Sequence, residues 1–221
     1  MDNVIAFNAF APTAANQKEV SCWLCQRGTS IRALFCPHCG SIQPVRPLDH
    51  FTRLGLERRI DIDLALLERQ YQGLRKSLDP QRFAIRGLGE RRHAARQLEA
   101  LDEAYHTLYE PLRRGRYWLE LHEKEIGDSQ AMNPMVSELY AELDRTAQAQ
   151  QCDRIAQKAG QALEQGIVGL MQALRAQNWS LANSILLEVD GLESLLDDVR
   201  VRRAAIKPEA IVARDDVTPI K

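Results

Sequence analysis

The chain has 221 residues, 45% hydrophobic and 27% charged, with 29 basic and 30 acidic side chains and a net charge of −1. This composition suits a soluble globular protein of one or two domains, and it does not indicate a net-basic nucleic-acid binder, although a local basic patch is compatible with it. No apolar run approaches the ~18 residues a membrane helix needs, so no membrane partner is expected.

Residues 1–19 carry Asp2 where a secretory signal would carry Lys or Arg, and they contain no arginine. They read as a flexible leader on a cytoplasmic protein. Residues 20–45 hold four of the five cysteines, in the run "CWLCQRGTSIRALFCPHCG". Cys22 and Cys25 form one C-x2-C pair, and Cys36 and Cys39 form another ten residues on. Two such knuckles can set four thiolates tetrahedrally around a zinc ion. Gly40 suits the tight turn after the second pair, and the residues between the pairs are enough for a small hairpin. Structural zinc is the expected cofactor, with iron as the alternative that tetrathiolate sites accept. A cytosolic setting disfavours disulfides, and a redox motif needs only one pair. His38, between two ligands, reads as a solvent-facing knuckle residue, and Cys152 as a buried small side chain.

Residues 46–124 alternate helical stripes with breakers. "LDHFTRLGL" reads as a short helix with Phe51 and Leu54 inward. Leu64, Leu67, Tyr71, Leu74 and Leu78 then share one face, with Asp61 or Asp63 as N-cap. Pro80 ends that helix, because its ring denies residue 79 the helical conformation. A second stripe follows through Leu98, Leu101, Tyr105 and Leu108. Pro111 opens a shorter helix with Leu112, Trp118, Leu119 and Leu121. Residues 125–131 read as a linker. Residues 132–206 carry three further stripes, beginning with Met132, Met135, Val136, Leu139 and Leu143. The second and longest runs from Ile155 to Leu174. The third runs from Ala182 to Val199, with Ser180 as its expected N-cap. Short connections imply antiparallel neighbours, and residues 207–221 read as a frayed tail. The fold class is thus all-α with a small N-terminal zinc knuckle.

The middle block resembles a J-domain: a short first helix, an amphipathic second helix, a proline-containing loop, a long third helix, and then "LYEPLRRGRYWLELH". That last run, the tetracysteine knuckle ahead of the block and the C-terminal three-helix bundle are similar to the HscB-type J-proteins of iron–sulfur cluster assembly, over about residues 20–206. The resemblance implies a co-chaperone that catalyses no covalent step. Its J-domain would dock on a DnaK-type chaperone and trigger ATP hydrolysis, and its bundle would hold an iron–sulfur cluster scaffold protein.

The family's loop triplet is His-Pro-Asp, and here it aligns with Asp79-Pro80-Gln81. A carboxylate replaces an imidazole that can donate a hydrogen bond, and a neutral amide replaces a carboxylate able to make a charge-assisted one. Both changes fall on the triplet that stimulates the chaperone, so weak stimulation is expected. Arg69, Arg75, Lys76 and Arg82 make a basic face able to steer an acidic partner. The family's scaffold-binding face corresponds to Met132, Met135, Val136, Leu139 and Glu142. Two further classes stand beside this one: a J-like adaptor or zinc-ribbon interaction module that activates no chaperone, and a nucleic-acid-binding ribbon using Trp23, Arg27, Arg32 and Phe35. No paired carboxylates, phosphate loop or nucleophile motif points to an enzyme. His93, His106 and His122 lack a recognisable partner, and nothing in the sequence sets the oligomeric state.

Overall fold

The computed structural model describes residues 19–124 and 133–206. The leader up to residue 18, the linker, Met132 and the 207–221 tail lie outside the described residues. The chain forms two compact units that divide between Glu110 and Pro111.

In the first unit, β1 (Glu19–Ser21) pairs antiparallel with β2 (Gly28–Ser30), and an isolated bridge joins Phe35 to Ile42. Helices α1 (His50–Arg53), α2 (Leu64–Ser77), α3 (Pro80–Phe83) and α4 (Leu88–Tyr109) follow. Asp49 caps α1, and Asp63 caps α2 by accepting from Ala65 N and Leu66 N, as an Asp at N-cap does for orphan amides. Phe51, Leu54, Leu67, Leu78, Leu101 and Leu108 are the buried core. Tyr71 donates to Asp102 at 2.9 Å and Tyr105 to Glu68 at 2.6 Å. Those pairs run in opposite directions along the two helices, so α2 and α4 are antiparallel. Their rings stack, Tyr71 on Tyr105 at 4.1 Å between centroids.

Pro80 does more than end a helix. It sits at the start of α3, a turn the periodicity did not reveal, with Asp79 as its N-cap. Proline at the first helical position has no N–H to leave unpaired.

The second unit holds α5 (Pro111–Leu121), α6 (Pro134–Asp144), α7 (Ala149–Arg175) and α8 (Trp179–Ala205). The sequence groups residues 111–124 with the J-like block, yet α5 packs against α7 and α8. Gly115 permits this, since a Cβ there would lie 2.8 Å from Leu170 Cδ2. Contacts Asn133–Glu188 and Tyr140–Asp198 run in the same direction, making α6 and α8 parallel. Asp153–Arg203 and Gly166–Val189 make α7 antiparallel to α8, so the last three helices form an up-down-up bundle. Its core includes Val136, Leu139, Leu143, Cys152, Ile155, Leu192, Leu195 and Val199. Cys152 is fully buried, as its place in the helical pattern predicts. The N-cap of α8 is Asn178, which accepts from Leu181 N at 3.1 Å; Ser180, the expected cap, already lies inside the helix. The helix begins two residues earlier than expected, directly after Gln177 takes a left-handed φ of 54°.

Candidate functional site

Each cysteine pair sits in its own turn, and the two turns repeat one backbone pattern. Cys22 N donates to Arg27 O and Gln26 N to Cys22 O, both near 2.9–3.0 Å; Cys36 N donates to Ser41 O and Gly40 N to Cys36 O, both at 2.9 Å. The residue after each second cysteine is left-handed: Gln26 at φ 61° and Gly40 at φ 69°. The expected single hairpin between the pairs is replaced by this duplicated arrangement, because β2 pairs backwards with β1 and not forwards.

The turns interleave their sulfurs. Cys22 Sγ lies 3.8 Å from Cys39 Sγ and Cys25 Sγ 3.7 Å from Cys36 Sγ, and all four ligand atoms lie within 4.8 Å of one another. A disulfide needs about 2.05 Å, so these are free thiols. A regular tetrahedron with ~2.3 Å arms has edges of about 3.8 Å, so the donor set fits a tetrathiolate metal ion. Ser41 Oγ lies 3.4 Å from Cys22 Sγ and 3.2 Å from Cys39 Sγ, and Gln43 Nε2 donates to Cys22 Sγ at 3.4 Å. Burial raises the Cys22 thiol pKa, but the Ser41, backbone and Gln43 hydrogen bonds outweigh it and bring it to about 5. The Cys39 thiol is also lowered, chiefly by Ser41. Cys25 goes up to about 11: the Arg27 backbone favours its thiolate, but burial and the three neighbouring sulfurs hold its proton. Ser41 and Gln43 are the supporting shell that orients ligands, and spacing alone does not single them out. His38 is exposed and takes no place in the cluster.

The knuckle is docked on the helices of its own unit. Trp23 Nε1 donates to Ile42 O at 2.7 Å. Its ring lies over the first turn of α4, where a Cβ on Gly89 would come within 3.1 Å of it, and it meets His93 edge-on at 4.9 Å. Burial first, then the charges of Arg96 and Arg46, lower the His93 pKa. Gln97 Nε2 adds a buried hydrogen bond to Gln43 O at 3.0 Å. Trp23 is therefore turned into the protein, not out as a platform for stacked bases, which removes the main aromatic support for a nucleic-acid ribbon.

Arg69, Arg75 and Lys76 are exposed on α2, and Asp79, Pro80, Gln81 and Arg82 are exposed just beyond it. Asp79 Oδ1 accepts from Gln81 N at 2.9 Å, so the carboxylate at the first triplet position is engaged with its own backbone. On α6 the expected face divides. Val136 and Leu139 are buried in the bundle core, because residues three apart on a helix share a side and this side meets α7 and α8. Of the expected face's described residues, Met135, 37% exposed, and Glu142, paired with Lys158 Nζ at 2.8 Å, face outward.

No protein-family model matches the chain. It is 25% identical over 190 residues to the iron–sulfur cluster co-chaperone protein HscB homolog of Arabidopsis thaliana, covering 83% of this chain and 75% of that one. It is 33% identical over 121 residues to HscB of Homo sapiens, covering 52% of this chain and 51% of that one. The chain thus spans about half the length of the human relative in sequence. The crystal structure of human HscB superposes with a TM-score of 0.73 at 22% identity, covering 83% of this chain and 98% of that chain. HscB from Vibrio cholerae gives 0.58 at 26% identity, covering 70% and 96%. The relatives, in sequence and in fold, are HscB-type iron–sulfur cluster co-chaperones. The mostly helical architecture is the HscB fold, with a tetracysteine cluster near its start. These HscB relatives are named as co-chaperones and not as enzymes. Among the described residues no helix is long and apolar enough to cross a membrane.

Proposed function

We propose that this protein is an iron–sulfur cluster co-chaperone that brings a cluster scaffold protein to a DnaK-type chaperone in the cytoplasm. The observation that carries this reading is the agreement between sequence and fold: HscB proteins are its relatives by both routes, and the likeness in fold covers nearly the whole human HscB chain. In this reading Arg69, Arg75, Lys76 and Arg82 steer an acidic chaperone surface, and Met135 and Glu142 are what α6 offers a scaffold. Cys22, Cys25, Cys36 and Cys39 hold zinc, with iron as the alternative. Such an ion neutralises the thiolates and ties the two turns together. Four protein ligands leave it no open position, so its part is structural.

The second reading is a J-like adaptor that binds its partners without firing the ATPase. The Asp79-Pro80-Gln81 loop favours it, because the Asp79 carboxylate, its Oδ1 already accepting from the Gln81 amide, has no proton to donate, and Gln81 carries no charge. The test is single-turnover ATP hydrolysis by the cognate DnaK-type chaperone, with co-purification of the scaffold as a parallel arm. Scaffold capture with little stimulation, and marked stimulation by Asp79→His/Gln81→Asp, supports the adaptor form. Strong stimulation by the unaltered chain overturns the adaptor form, and failure to bind either partner overturns both.

A further inference from the structure

A cleft of about 460 Å³, counting its open mouth, lies within the first unit where residues 31–34 of the knuckle approach the C-terminal end of α2 and the middle of α4. Its apolar wall includes Leu48, Leu74 and Leu78. Its polar lining is made by Arg32, Arg46, Arg53 and Gln97, with no Asp or Glu among the lining residues. Such a wall carries net positive charge beside apolar surface. Gln97 is engaged with Gln43 O, and one amino group of Arg53 donates to Arg46 O at 2.9 Å. Arg46 is different. Its Nη2 reaches only the Ser21 carbonyl, at 3.4 Å, while its Nε is buried and meets no hydrogen-bond partner. The Nε is out of reach of a ligand in the cleft, but the Nη groups, with one long contact between them, keep donors that an acceptor-only group bringing negative charge takes up.

We propose that this cleft binds a carboxylate carried on a short branched aliphatic chain, the carboxylate meeting Arg46 and the aliphatic part lying on Leu74 and Leu78. Planar guanidinium recognises planar carboxylate through paired hydrogen bonds, and the leucines give the ligand's hydrocarbon a place out of water. Two sources supply that chemistry: a free small acid, or the C-terminal residue of a protein chain. The proposal concerns the first unit alone and does not rest on the co-chaperone reading.

The experiment uses the full chain loaded with zinc and follows leucine methyl resonances during titration with 4-methylpentanoate, its neutral alcohol, inorganic phosphate, and a Gly-Gly-Leu tripeptide with a free or amidated terminus. Saturable shifts confined to Leu48, Leu74 and Leu78, with the acid about tenfold to a hundredfold tighter than the alcohol, are expected from one charge-assisted pair. Tighter binding of the free-terminus peptide assigns the source to a chain end, and equal or weaker binding assigns it to a small acid. Arg46→Met should abolish the acid's advantage over the alcohol. Because Arg46 also touches Ser21, Ala33→Phe provides a second variant that fills the cleft and should abolish binding with Arg46 intact. Equal affinity for acid and alcohol, binding that survives both variants, equal binding of phosphate, or no saturable shift for any probe overturns the proposal.

Discussion

Replacing Trp23 by Ala tests whether the knuckle and the helices of the first unit fold as one body. The indole is half-buried, and its ring covers Gly89 and His93 on α4. Removing a buried tryptophan costs about 3–5 kcal/mol, so a half-buried one is worth about 2. The Ile42 carbonyl, whose residue is fully buried, also loses its 2.7 Å donor, at about 1–3 kcal/mol. The sum is about 3–5 kcal/mol, which speeds exchange from globally opened states by at least about a hundredfold. Amide hydrogen exchange of α4 reads this directly and separately from the C-terminal bundle. Metal content measured in parallel should remain at one ion per chain, since no ligand is altered. Trp23→Phe should fall between the two, keeping ring contact and losing the hydrogen bond. Exchange of α4 within about fivefold of the parent, a difference of about 1 kcal/mol, would refute the coupling.

Cys36→Ser should lose the bound metal, and α4 protection should fall with it, because the turns that carry Trp23 and Gln43 are then held by hydrogen bonds alone; metal release assay and hydrogen exchange check the two halves. Leu139→Asp should unfold the second unit, putting an unpaired charge among Val136, Ile155 and Leu192 at a cost above about 3 kcal/mol, whereas Met135→Glu should leave its thermal midpoint unchanged and weaken scaffold capture. The Tyr105 phenol is pushed up to about 12, first by its hydrogen bond to Glu68 and then by burial and nearby charge. It therefore supports folding fully below its unfolded value of about 10 and loses that support as pH rises towards 12; denaturant titrations across this window should show a step that Tyr105→Phe diminishes. Asp79→Ala should loosen α3 by about 1 kcal/mol through loss of the cap, visible as faster exchange at Gln81 while α2 is unchanged.

The helices were legible because their apolar residues recur at a period only a helix satisfies: Leu67 and Tyr71 inward on α2 with Leu78 at its C-cap, Val136, Leu139 and Leu143 on α6. The tetracysteine cluster was legible because two C-x2-C pairs have few other uses. The resemblance to HscB-type proteins followed from element order together with the "PLRRGRYWLELH" run. What a linear pattern does not carry is which neighbour a face meets. Periodicity marked Met135, Val136 and Leu139 as one stripe, yet only the position of α7 and α8 separates the buried two from the exposed one. Trp23 lies between two ligands and reads as part of an exposed knuckle, until the path of α4 places Gly89 beneath it. The partnerless Nε of Arg46 has no signature in sequence at all. Local periodicity and ligand chemistry are properties of neighbouring residues, so the chain alone determined them; burial, pairing and clefts depend on contacts between residues far apart in sequence, and those came into being only when the helices packed.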